Sequence, residues 1–140
     1  MNDIIINKIQ SIHRCVARAR EEYQKSPEEF EQDYTRQDAA VLNVLRACEQ
    51  AIDLANHIIK ERKMGIPNSS AESFELLGKK SVIDGALSKK LQNMVQFRNI
   101  VTHQYQTMDI EIVKNVILYG LDELVLFTEK IMEYSGPASR

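Results

Sequence analysis

Three stretches of this 140-residue chain repeat apolar residues at spacings of three and four over many turns. Ile5, Ile9, Ile12, Val16, Ala19 and Tyr23 mark the first. Val41, Leu45, Cys48, Ile52, Ala55 and Ile59 mark the second, and Val113, Val116, Ile117, Leu121, Leu124, Phe127 and Ile131 the third. An α-helix has 3.6 residues per turn, so such positions line up along one side, whereas a strand would need strict alternation. Each stretch is therefore predicted to be a long helix with one face to bury. No alternation convincing enough for strands appears, nor does an internal repeat or a linker long enough to divide the chain. The expected fold is all-α: a compact antiparallel bundle of about four main helices plus one or two short ones. One domain is expected over residues 1–140, with a tail fraying from about residue 135.

Local signals set the expected boundaries. The first helix runs from about residue 3 to 25. In the following SPEEF, Ser26, Pro27 and Glu29 fit either a short capped helical turn or a connector. Thr35 or Asp38 can cap the second helix, which reaches about Arg62. Leu42, Val44, Leu54 and Ile58 widen its stripe enough to meet several neighbours, including a second subunit. Met64-Gly65-Ile66-Pro67 stops it, with Gly65 as the C-terminal cap. A short helix anchored by Phe74 and Leu77 ends at Gly78. Ser81 can cap a fourth helix that buries Leu87, Leu91, Met94 and Val95, with Ile100 and Val101 extending the pattern. Asp109 can cap the last helix, which runs to about Tyr134.

Eighteen Lys and Arg against 20 Asp and Glu leave a formal net charge of −2, so no global positive field draws in nucleic acid. Contact with RNA would have to come from a local patch or an assembled groove. The two cysteines, Cys15 and Cys48, sit on apolar helical faces and read as buried free thiols, not as a disulfide scaffold. The opening MNDIIINKI is too short and too soon charged for a signal peptide, and no apolar run is long enough to span a bilayer. A cytoplasmic protein is expected.

RNIVTHQY, residues 98–105, concentrates the candidate chemistry. Arg98 offers a planar fork of charged donors suited to phosphate. His103 offers an imidazole, whose reference pKa of about 6.5 suits proton transfer. Tyr105 adds a phenol. Such a set can cleave a phosphodiester without a metal. A surface arginine and a helix-terminal histidine would give the same spacing. On the second helix Glu49, Asp53, Asn56 and His57 form a polar strip that is either one wall of a groove or a solvated face. Nothing in the spacing makes His13, His57 and His103 converge on a metal, and no Gly-rich phosphate loop or nucleophile elbow occurs.

CEQAIDLANHI, GIPNSSAESFELL and KKLQNMVQFRNIVTHQY occur here in that order, ahead of a final amphipathic helix. Over about residues 3–133 this arrangement resembles the HepT-like family of HEPN-domain toxins. Its signature is an arginine, four intervening residues, a histidine and then a tyrosine, matched by Arg98, His103 and Tyr105. The resemblance implies a metal-independent endoribonuclease that requires no cofactor and acts as a homodimer, with two copies of the motif meeting at one groove. It implies that Arg98 and His103 are catalytic, that Arg98 and Asn99 contact RNA, and that the ribose 2′-hydroxyl is the nucleophile, so DNA is not a substrate. It implies a partner as well, an MntA-like minimal nucleotidyltransferase antitoxin that places adenylate on Tyr105. A noncatalytic helical adaptor that binds or regulates such a nucleotidyltransferase is the alternative.

Overall fold

Asn2 opens the first helix by accepting the Ile5 amide on its side chain at 2.9 Å. The computed structural model describes residues 2–136. Its helices are α1 (Asp3–Gln24), α2 (Tyr34–Glu61), α3 (Ser70–Lys79), α4 (Gly85–Gln104), α5 (Ile110–Asn115) and α6 (Leu121–Ser135). No strand occurs among the described residues. Of the tail expected to fray, Ser135 closes α6 and Gly136 follows it; residues 137–140 lie outside the described residues.

The helices run antiparallel in the bundle, as cross-bundle contacts show. Asn2 at the start of α1 donates to Glu61 at the end of α2. Farther along, His13 and Arg20 of α1 meet Thr128 and Asp122 of α6 in the opposite order. The three apolar stripes meet in one core, joined by Phe74, Leu77, Leu87, Leu91, Met94 and Val95. Phe74 of α3 and Phe127 of α6 pack edge to face, 5.4 Å between centroids. No helix among the described residues is long and apolar enough to cross a membrane.

Several boundaries differ from expectation, each for a local reason. SPEEF forms consecutive turns, not a helix, and its Phe30 is fully buried against Tyr23, 5.1 Å between ring centroids. Asp33 caps α2 by accepting the Arg36 amide, so neither Thr35 nor Asp38 has that task. At the other end Lys63 takes the left-handed position, φ 53°, while the Met64 amide reaches back to Ile59 and the Lys63 amide to Lys60. That pair of bonds is a Schellman ending, which Gly65 was expected to supply. Ser81, φ 59°, ends α3 in the same way, and Asp84 caps α4 by accepting the Leu87 amide.

Gly78 lies inside α3 and serves packing instead of termination. A Cβ built there would come within 2.9 Å of Ser88 Cβ, and Ser88 Oγ also donates to the Phe74 carbonyl. Gly78→Ala is therefore expected to lower stability by about 1–3 kcal/mol through overpacking, even though alanine is the better helix former. Urea denaturation checks this, and an unchanged or raised midpoint contradicts it.

The last helical path is also not uniform. A π turn, Val116–Gly120, separates α5 from α6, with the Leu121 amide bonded to the Val116 carbonyl. Val113, Ile117 and Leu121, four residues apart, are all buried. The wider turn keeps this four-residue spacing aimed at the core, which a 3.6-residue helix gradually rotates away.

Candidate active site

α4 buries Leu91, Met94, Val95 and Val101, which turns Asn99, Thr102 and His103 outward at its C-terminal end. Ile100, expected to extend the apolar face, is 45% exposed. Arg98 lies between the two environments and leans on α2. Its Nη1 donates to Glu49 Oε1 at 2.8 Å, while Nε and Nη2 both donate to Asn99 Oδ1, at 3.2 and 3.0 Å. Three of the guanidinium's five N–H donors are thus used to aim it, and two remain for an anion. His103 sits in the last turn of α4, exposed and without a side-chain hydrogen bond among the described residues. Five residues along a helix amount to about 7.5 Å of rise and about 140° beyond a full turn, so Arg98 and His103 leave α4 in different directions.

α4 ends in a 3-10 turn, Tyr105–Thr107, which folds Tyr105 back onto α2. The Tyr105 hydroxyl donates to Asp38 Oδ1. Partial burial is the main cause that raises the phenol well above its ordinary pKa, and the Asp38 hydrogen bond and charge push it the same way. The neutral phenol is therefore the form present near neutrality. Tyr105 walls an open cleft of about 650 Å³ with Tyr34, Asp38, Met108, Ile110 and Val113. Glu31 is on the same cleft, held by Lys114 of α5, whose ammonium also holds the Glu31 carboxyl below its usual range.

The polar strip of α2 does not form one wall. Glu49 alone meets the arginine. Asp53 turns to Lys8 of α1 at 3.7 Å, Asn56 accepts from Ser73 of α3 at 2.6 Å, and His57 lies 3.5 Å from Glu61 and 3.4 Å from Asn2. Successive turns of α2 face different neighbours, so the strip fans out. Asp38, read from the sequence only as a cap, joins the site through Tyr105. Its signal is weak but present: Asp38, Leu42 and Glu49 share one side of α2, and that side faces the end of α4.

The three histidines stay apart, and among the described residues no three His, Cys, Asp or Glu side chains gather as a metal-binding group. Both cysteines are buried and free. Cys48, beneath Glu49, has its thiol pushed up to about 12, first by burial and then by the Glu49 charge, with Arg98 opposing. It is an inert core thiol.

The chain matches known proteins over nearly its whole length. A family model described as Ribonuclease HepT-like matches residues 12–131. The mRNA nuclease HepT of Shewanella oneidensis is 44% identical over 131 residues, 94% of this chain and 98% of that protein. The tRNA nuclease HepT of Aphanizomenon flos-aquae is 29% identical over 86 residues, 61% of this chain and 58% of that protein. The fold superposes with a TM-score of 0.90 on the tri-AMPylated Shewanella oneidensis HEPN toxin solved in complex with its MNT antitoxin, at 44% identity, covering 95% of this chain and 99% of that one. A toxin–antitoxin structure with AMP-PNP gives 0.88 at 44% identity, covering 94% and 99%. With a family model spanning residues 12–131, a relative 44% identical over nearly its whole length and a bundle superposable on such a toxin, the chain belongs to the HepT-like ribonuclease family of HEPN-domain toxins.

Proposed function

We propose that this chain is the endoribonuclease toxin of a toxin–antitoxin pair, cutting RNA at a groove where two copies bring Arg98 and His103 together. The observation that carries this reading is the arrangement at the end of α4: an arginine aimed by Glu49 and Asn99 with donors to spare, and an exposed histidine five residues on. Arg98 holds the scissile phosphate and offsets charge developing on its oxygens. One His103 takes the proton of the ribose 2′-hydroxyl as that oxygen attacks phosphorus. The partner's His103 protonates the departing 5′-oxygen. The products are a 2′,3′-cyclic phosphate and a free 5′-hydroxyl. DNA lacks the nucleophile. The nucleophile and both proton-transfer groups come from RNA and protein, so the route needs no metal.

A cognate minimal nucleotidyltransferase silences the enzyme by placing AMP on Tyr105. The relatives bear on this directly: the superposable Shewanella oneidensis toxin is AMPylated and bound to an antitoxin. They also divide on RNA class, one an mRNA nuclease and the other a tRNA nuclease. The test is therefore run on both RNA classes, in excess EDTA, with wild type and His103→Ala side by side. Cleavage by wild type alone is expected. Loss of wild-type cleavage in EDTA, with recovery on adding zinc or magnesium, contradicts the metal-free route.

Assembly is separately testable. Leu42 lies on the side of α2 that runs from Asp38 to Glu49 and is 46% exposed, and Ile100 is 45% exposed beside Asn99. A second copy covers both. Leu42→Glu with Ile100→Glu is expected to turn a dimer into a monomer in light scattering, and cleavage should fall with it. A monomeric wild type that cleaves RNA at full rate rules out the shared groove.

A further inference from the structure

We propose that Asp38 is the base that receives the Tyr105 proton when that oxygen takes up adenylate, so the toxin supplies the catalytic carboxylate for its own modification. The inference rests on the reading of Tyr105 as the modified residue. Among the described residues, Asp38 is the side chain hydrogen-bonded to the Tyr105 hydroxyl, which donates to Asp38 Oδ1. A general base must lie within hydrogen-bond reach of the proton it removes, and Asp38 already meets that condition before any nucleotide arrives.

The state of the phenol explains why a base is required. Burial, together with the neighbouring Asp38, holds the hydroxyl protonated far above neutrality. A preformed phenolate is therefore not the nucleophile. The proton has to leave as the new bond forms, in the way an aspartate of protein kinases accepts a substrate hydroxyl proton during phosphoryl transfer. The other carboxylate on this cleft, Glu31, is committed to Lys114 and has no bond to the phenol.

The Tyr105 oxygen bonds to the α-phosphorus of a magnesium-bound nucleoside triphosphate. The bond from that phosphorus to the bridging oxygen of the β-phosphate breaks, and pyrophosphate leaves with the pair of electrons. The phenol proton passes to Asp38 and from there to solvent, to which Asp38 is exposed. The open cleft of about 650 Å³ in front of Tyr105 gives the incoming nucleotide room to approach.

Asp38→Asn keeps the shape and the accepting oxygen but removes the basicity. With the cognate nucleotidyltransferase, magnesium and ATP, adenylate transfer is followed by intact-mass spectrometry, and peptide mapping places the adduct. Asp38→Asn is expected to lower the maximal rate of transfer to Tyr105 by about 10²-fold or more, with the KM for ATP nearly unchanged. Asp38→Ala is expected to be equally slow and to recover on adding formate, a small carboxylate that can enter the exposed gap. Recovery separates a base from a brace, since formate cannot restore a side-chain tether. Circular dichroism on both variants shows whether they fold. If wild type takes adenylate on Tyr105 and Asp38→Asn does so at the same rate, Asp38 is not the base and the reading of Tyr105 stands. Slow variants that formate fails to rescue overturn the assignment in favour of bracing. If wild type takes no adenylate on Tyr105, the reading of Tyr105 itself fails.

Discussion

Arg98→Ala is expected to lower RNA cleavage by about 10²–10³-fold, the scale found when one donor to a developing oxyanion is removed. His103→Ala is expected to cost about 10²–10⁴-fold, the range of a positioned acid–base group. Both should leave the circular dichroism spectrum nearly unchanged. His103 is exposed and makes no side-chain hydrogen bond among the described residues. Arg98 loses a partly exposed pair with Glu49, a type of interaction worth about 0–1 kcal/mol. Arg98→Lys should recover only part of the activity. The guanidinium donates from one edge to Asn99 and from another to Glu49, and a lysine ammonium has no planar fork with which to satisfy both and still present parallel donors to phosphate. Single-turnover cleavage of a labelled RNA gives the rates. Wild-type rates from both alanine variants would show that the chemistry lies elsewhere in the chain. A large loss for Arg98→Ala with full activity for His103→Ala would keep the phosphate site and remove the histidine from proton transfer.

The helices were legible in the sequence because burial along a helix repeats every three or four residues. Ile5 to Ala19 and Leu121 to Ile131 are buried where their stripes place them. Isolated apolar residues carry no such signal. Phe30, Val82 and Ile83 are all buried in connectors, where one apolar residue has no periodic neighbour to mark it. Helix ends depart from expectation where a glycine stands nearby. Lys63 and Ser81 accept left-handed backbone themselves, while Gly78 is needed for the approach of Ser88. The candidate site divides along the same line. Arg98, Asn99, His103 and Tyr105 are neighbours in sequence, so one motif contains them. Their partners Glu49 and Asp38 come from α2, and the pairing of 98 with 49 and 105 with 38 exists only once α2 and α4 lie antiparallel. The strip from Glu49 to His57 looked continuous because all four residues are polar at helical spacing. It separates because α2 packs on α1, α3 and α4 in turn.

Wild-type chain treated with the cognate nucleotidyltransferase and ATP is expected to carry AMP on Tyr105 and to lose RNA cleavage by at least about 10²-fold. A single residue, Gln104, separates Tyr105 from His103, and the ester places a phosphodiester charge and a nucleoside at the end of α4. The charge repels the RNA backbone that Arg98 is meant to attract, and the nucleoside occupies space that RNA would need. Esterification has a further consequence inside the chain. The Tyr105 oxygen no longer has a proton to give Asp38, and a hydrogen bond becomes a meeting of two anions. That change is expected to weaken the hold of the 3-10 turn of residues 105–107 on α2. Tyr105→Phe should block modification, because it keeps the ring and removes the accepting oxygen. It also removes the bond to Asp38, at a cost to stability of about 0.5–1.5 kcal/mol, so its melting midpoint should fall slightly while it still cleaves RNA. Intact-mass spectrometry follows the adduct, peptide mapping locates it, and the same samples are assayed on RNA. Full modification with undiminished cleavage would reject control by adenylate, and an adduct on Tyr119 or Tyr134 would reject Tyr105 as its site.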